Sequence, residues 1–170
     1  MTTLILTVVG SDRPGLVAAV ADIVDAHAGN WETSQLAELA GTFAGVIEIS
    51  VAEERTAELT AALQALEGLL TVAVHTGTDV GTVASDARAI TVRILGNDRP
   101  GIVREVSAVL STHDLSIENM TTETRDAAMA GGRLFEATVT AEVPASVDLD
   151  LLRADLERLA AEIQVDIALR

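Results

Sequence analysis

The chain alternates between two hydrophobic rhythms, and the alternation occurs twice. Residues 3–10 ("TLILTVVG") and 89–96 ("AITVRILG") are β-branched runs of strand length. Each is followed by apolar positions at helical spacing: Leu16, Val17, Val20, Ile23 and Val24 in one case, Ile102, Val103, Val106, Val109 and Leu110 in the other. Extended segments come next, residues 30–41 and 116–132. Strict period-two alternation follows. Ile47, Ile49 and Val51 are interleaved with Glu48 and Ser50. Phe135, Ala137, Val139 and Ala141 are interleaved with Glu136, Thr138 and Thr140. Such alternation predicts antiparallel strands with one buried face. Leu59, Leu63 and Leu66 then predict a second helix, as do Leu152, Leu156 and Leu159, and "LLTVAVHT" and "EIQVDIAL" close the two series as strands.

Each half therefore reads β-α-β-β-α-β, and the chain is expected to be α+β. The expected architecture is two ferredoxin-like domains with antiparallel sheets and helices on one face, packed as a pseudo-dimer. Residues 1–78 form the first expected domain and 89–170 the second. Residues 79–88, rich in Gly, Ser, Thr and Asp, form the linker. The halves are related by an offset of 86 through the first strand and helix. The second is read as five residues longer between its middle strands, in the Gly-rich "DAAMAGG".

Composition narrows the classes of partner. With 26 acidic residues against 11 basic ones the net charge is −15, and every basic residue is Arg. That balance disfavours nucleic acid and anionic membrane surfaces. RNA binding on a sheet face would need aromatics, which are 2% of the chain. There is no Cys, so thiolate nucleophiles, disulfides and Cys-ligated metals are excluded. No basic leader or bilayer-length apolar run occurs, and a cytoplasmic protein is expected.

Candidate chemistry concentrates in an octapeptide present twice: "GSDRPGLV" at residues 10–17 and "GNDRPGIV" at 96–103, identical at six of eight positions. It joins a strand to a helix N-terminus, where free N–H groups and the helix dipole favour an anion. Asp12 and Asp98 read as N-caps, with Pro14 and Pro100 in the first turn. The same carboxylates could instead meet an ammonium group. Donors for a carboxylate beside an acceptor for an ammonium describe the two ends of a free amino acid. The loop lacks the Lys-Ser/Thr of a P-loop and the Gly-x-Gly-x-x-Gly of dinucleotide sites. Gly29 reads as a helix stop; Leu115 at the matching place requires a different closure. His27 and His113 are expected to bond the last carbonyls of their helices. Glu32 and Glu118 are matched across the repeat and read as solvated strand-edge residues. Trp31 reads as a packing residue. No constellation supports catalysis or a metal site, and no cofactor is expected.

With "DRPG" after the first strand of each half, and "GNWE" opening the second strand of the first half, each half resembles an ACT domain, a module that binds amino acids. Two in tandem, and the stretch "GNWETSQLAELAGTFAGVIEISV" in particular, are similar to the glycine cleavage system transcriptional repressor family. The resemblance implies that a site uses the loop of one repeat and the second-strand start of the other. One such site would combine Asn97, Asp98, Arg99, Pro100, Gly101, Ile102 and Val103 with Asn30. The other would combine Ser11, Asp12, Arg13, Pro14, Gly15, Leu16 and Val17 with Ser116, which departs from the family's Asn. It further implies a non-enzymatic sensor of a small amino acid such as glycine or serine. Its partner would be a protein such as a DNA-bound transcriptional activator; a homodimer stays open. The alternatives are a ligand-independent interaction module and a detached regulatory subunit of an amino-acid or folate-pathway enzyme.

Overall fold

The computed structural model describes residues 1–77, 88–127 and 131–170. The chain divides into two compact units. In the first, β1 (Thr2–Ser11), α1 (Leu16–Ala26), β2 (Asn30–Leu39), β3 (Thr42–Val51), α2 (Thr56–Gln64) and β4 (Thr71–Thr76) follow one another. In the second they are β5 (Arg88–Asn97), α3 (Ile102–Thr112), β6 (Ser116–Asp126), β7 (Arg133–Val143), α4 (Leu149–Ile163) and β8 (Val165–Leu169). Each unit has one antiparallel sheet, ordered β2-β3-β1-β4 and β6-β7-β5-β8. This is the ferredoxin-like βαββαβ arrangement in both halves. The linker expected at 79–88 lies outside the described residues apart from Arg88, where β5 begins.

The period-two pattern does what it predicts. Leu4, Leu6 and Val8 of β1 and Ile47, Ile49 and Val51 of β3 face inward, and Leu16, Val20 and Val24 of α1 with Leu59 and Leu63 of α2 close over them. In the second unit Ile90, Val92 and Ile94 meet Val139, Ala141, Ile102, Val106, Leu110, Leu152 and Leu156. No buried residue among those described is polar or charged. With so few aromatics, cohesion comes from aliphatic burial, about 1.5–3 kcal/mol for each fully buried Leu, Ile or Val. Trp31 packs partly buried against the first core.

Three local expectations are corrected. Asp12 and Asp98 do not cap the helices. The N-cap residues are Gly15 (φ 93, ψ 0) and Gly101 (φ 98, ψ −10), and neither helix receives a side-chain cap. These angles belong to the third residue of a type II turn, for which Pro-Gly is the favoured central pair. Pro14 and Pro100 therefore lie in the turn ahead of the helix rather than in its first turn. Asp148 shows what an Asp cap looks like in this chain: its Oδ1 accepts from Asp150 N at 2.9 Å and Leu151 N at 3.2 Å at the start of α4.

The C-terminal turns of α1 and α3 close identically. Ala28 (φ 54) and Asp114 (φ 56) take the left-handed conformation. The next amides reach back, Gly29 N to Val24 O at 2.9 Å and Leu115 N to Leu110 O at 3.1 Å. This is a Schellman closure in which the left-handed residue precedes Gly29, so Leu115 fits the same turn without strain. Lastly, the insertion is six residues long. Ile49 faces Leu4 and Ala141 faces Ile90, an offset of 92 where the first strands are offset by 86.

The first glycine of each octapeptide serves close approach. A Cβ on Gly10 would lie 2.9 Å from Leu69 O, and one on Gly96 would lie 2.8 Å from Val165 Cβ and 3.0 Å from Val165 Cα. The strand after the second helix can pair with β1 or β5 there only if that position is bare. Gly96→Ala is expected to destabilise the second unit by roughly 1–3 kcal/mol, the usual cost of overpacking, as read from chemical denaturation.

Candidate functional site

The two octapeptide loops are built alike. Ser11 and Asn97 end their strands, paired with Thr42 and Leu134. The next amide is held by the neighbouring hairpin: Asp12 N donates to Gly41 O at 2.9 Å and Asp98 N to Arg133 O at 2.8 Å. The Pro-Gly turn then delivers the chain into the helix, with Ala19 N bonding Gly15 O and Glu105 N bonding Gly101 O, at 2.9 and 3.0 Å. Leu16 and Ile102 point into the cores at 2% exposure, so their side chains are structural and only their backbone can face a ligand. Val17 and Val103 are each 43% exposed beside them.

Gly15 and Gly101 cap the helices without a side chain, so no side-chain hydrogen bond caps the first-turn N–H groups. The aspartates are also released from capping. Asp12 is exposed, and Asp98 has only a 4.0 Å approach from Arg133 Nε. The arginines differ. Arg99 is ion-paired with Glu105 on α3 and donates to Pro100 O at 3.0 Å; Arg13 donates to Gly68 O at 3.0 Å. Glu105, Arg133 and Gly68 were not expected at these loops. Each becomes a neighbour only through helix geometry or a distant hairpin.

Asn30 and Ser116 are the exposed first residues of β2 and β6. In each unit a β-bulge follows immediately, where the register slips between Trp31 and Thr33 and between Ile117 and Asn119. The extra residue is Glu32 in one unit and Glu118 in the other. A bulge re-aims its side chain, and Glu32 Oε1 accepts from Ser50 Oγ at 2.5 Å and from Asn30 Nδ2 at 2.9 Å. The Ser50 hydroxyl, and after it the Asn30 amide, holds the Glu32 carboxyl below the usual glutamate range. Glu142 occupies the place of Ser50 in the second unit, opposite Ser116. Asn30 is thus part of a hydrogen-bonded trio that Ser116 does not reproduce.

Loop and strand start are not neighbours within a unit. Asn30 is level with Ser50 and Thr3, whereas the loop leaves β1 at Ser11, level with Thr42. Eight residues of strand separate them, roughly 26 Å at about 3.3 Å each. One unit alone cannot bring its own Asn30 and its own Asp12 onto one small ligand.

The matched histidines part company. His27 Nδ1 donates to Ile23 O at 2.8 Å, as expected of a helix-end histidine. His113 does not bond its helix carbonyls; its Nε2 donates to Asp155 Oδ2 on α4 at 2.8 Å. The cause is the residue on the second helix: Asp155 stands where α2 carries Ala62. The His113 N–H, together with Arg158 at 2.6 Å, holds the Asp155 carboxyl below the ordinary aspartate range.

Residues 2–76 match the ACT domain family, and residues 85–166 match it again. A UPF0237 protein of Methanopyrus kandleri is 35% identical over 78 residues, covering 45% of this chain and 79% of that protein. An unknown protein from Galdieria sulphuraria has a similar crystal structure. Its TM-score is 0.89 at 28% identity, over 99% of this chain and 97% of that one. The fold is also shared with a candidate glycine cleavage system transcriptional repressor, with a TM-score of 0.72 at 19% identity over 99% and 96% of the two chains.

The trio at the strand start yields a direct prediction. Carboxyl titration by NMR should place Glu32 below the ordinary value of about 4.3. Ser50→Ala should return it upward more than Asn30→Ala does.

Proposed function

The chain belongs to the ACT domain family, and on that premise we propose that it is an amino-acid-sensing regulatory protein. The observation that carries the proposal is the pair of glycine-capped helix N-termini, which receive no side-chain cap and so leave Asp12 and Asp98 of the same loops without a capping role. Free N–H groups at a helix start suit a carboxylate. Asp12 or Asp98 suits an ammonium. The pair is complementary to the two ends of an α-amino acid.

In the finer reading one amino acid draws on the loop with Asn97 and Asp98 and on the strand start with Asn30. The Asn97 loop is preferred because Asn30 brings an ordered amide, whereas the Ser116 end brings two carboxylates, Glu118 and Glu142. Glycine or serine is the expected ligand, on the likeness of residues 29–51 to the glycine cleavage repressor family. The stretch at residues 29–51 and the fold shared with the repressor-like structure support a regulatory partner in glycine metabolism, a DNA-bound activator among them. A charge of −15 favours a protein partner over the DNA itself. A ligand can shift the regulator between two states only by its difference in affinity for them.

Calorimetric titration with glycine, serine and larger amino acids tests the proposal. Binding of a small amino acid is expected at millimolar concentration or tighter, and it should be lost in both Asn30→Ala and Asp98→Ala. Absence of heat with every amino acid would remove the sensing role. Loss in Asp98→Ala with full binding in Asn30→Ala would remove the two-feature frame alone.

A further inference from the structure

Arg13 and Arg99 occupy the same repeat position, yet only one of them is neutralised. Arg99 is ion-paired with Glu105. The first unit carries Ala19 at the place of Glu105. Arg13 extends instead toward the turn after α2, where its Nη2 donates to Gly68 O at 3.0 Å. That uses one of five guanidinium donors, and no carboxylate among the described residues pairs with the charge.

The turn that receives Arg13 is particular to the first unit. α2 ends at Gln64, and the chain spends residues 65–70 reaching β4, with Gly68 at φ +95. In the second unit α4 runs on to Ile163 and passes through Gln164 alone into β8. The extra turn packs beside the end of β1, and a cavity of about 330 Å³ lies there, its lining including Val9, Gly10, Ser11, Arg13, Gly68 and Leu69. The lining residues bring a guanidinium from Arg13, a hydroxyl from Ser11 and aliphatic side chains from Val9 and Leu69. No acidic side chain lines it.

We propose that this cavity binds a small monocarboxylate with a short apolar tail. The carboxylate sits on Arg13 and Ser11, and the tail lies against Val9 and Leu69. Arg presents parallel donors matched to a carboxylate. With no carboxylate among the described lining residues, an ammonium would meet only neutral carbonyl and hydroxyl acceptors here and gain no charge pairing. The site therefore favours a carboxylate that lacks the amino group, which has no ammonium to desolvate beside the Arg13 charge. It is separate from the frame containing Asn30, which lies at the other end of the first sheet.

The test is a titration of the full-length, ¹⁵N-labelled chain followed by NMR, with sodium butyrate as probe and with inorganic phosphate and glycine as comparisons. Butyrate should shift the amides of Ser11, Gly68 and Leu69 saturably in the millimolar range. Arg13→Gln should weaken it about tenfold or more, since charge-assisted hydrogen bonds are lost. Arg153→Gln removes the same charge from an exposed position on α4 and should leave it unchanged. The proposal is overturned if butyrate gives no saturable shift at these amides, if both variants weaken it equally, or if phosphate or glycine binds there as tightly. None of these outcomes bears on amino-acid binding lost through Asn30 or Asp98.

Discussion

A glycine held at positive φ between the first strand and first helix of each unit is the constraint from which the rest of the site follows. The Pro-Gly turn sets the direction in which the chain leaves β1 and β5, and so places α1 and α3 over their sheets. It also starts each helix at the residue after the glycine, with no side chain folded back on the first-turn amides. Had Asp12 and Asp98 capped, the donors and carboxylates would have neutralised each other. As built, both stay available. The preceding glycine, Gly10 or Gly96, allows the last strand to press against the same corner. The loop is fixed at both ends by packing and left open in its middle.

The repeats share this frame but differ in what surrounds it, and the differences run in one direction. In the second unit two charges are satisfied internally, Arg99 by Glu105 and His113 by Asp155. In the first, Arg13 and His27 bond carbonyls instead. Conversely, the ordered Asn30–Glu32–Ser50 trio belongs to the first unit, and its counterpart carries an added carboxylate at Glu142. A duplicated module with equivalent sites would not diverge so consistently.

Most of the fold was legible because burial writes itself into periodicity. Ile47, Ile49 and Val51 cannot alternate with polar residues for any other purpose so economically, and Leu59 and Leu63 fix a helix face. The two octapeptides marked the turns correctly but not their mechanism. "D-x-P-G" carries an Asp-cap signal and a type II turn signal at once, and only backbone angles decide between them. The bulges at Glu32 and Glu118 were hidden because a single extra residue does not disturb a short polar strand. Arg13 with Gly68, and His113 with Asp155, depend on contacts 55 and 42 residues apart in sequence, which no local pattern encodes.

The central claim is that the loop aspartates hold a ligand and not the helix. Thermal unfolding of wild type and Asp98→Ala, each with and without glycine, measures both halves at once. The account predicts that Asp98→Ala without ligand stays within about 0.5 kcal/mol of wild type, and that only wild type is stabilised by glycine. A ligand-free loss of about 1 kcal/mol or more, typical of a removed cap, with equal glycine stabilisation in both proteins would contradict it.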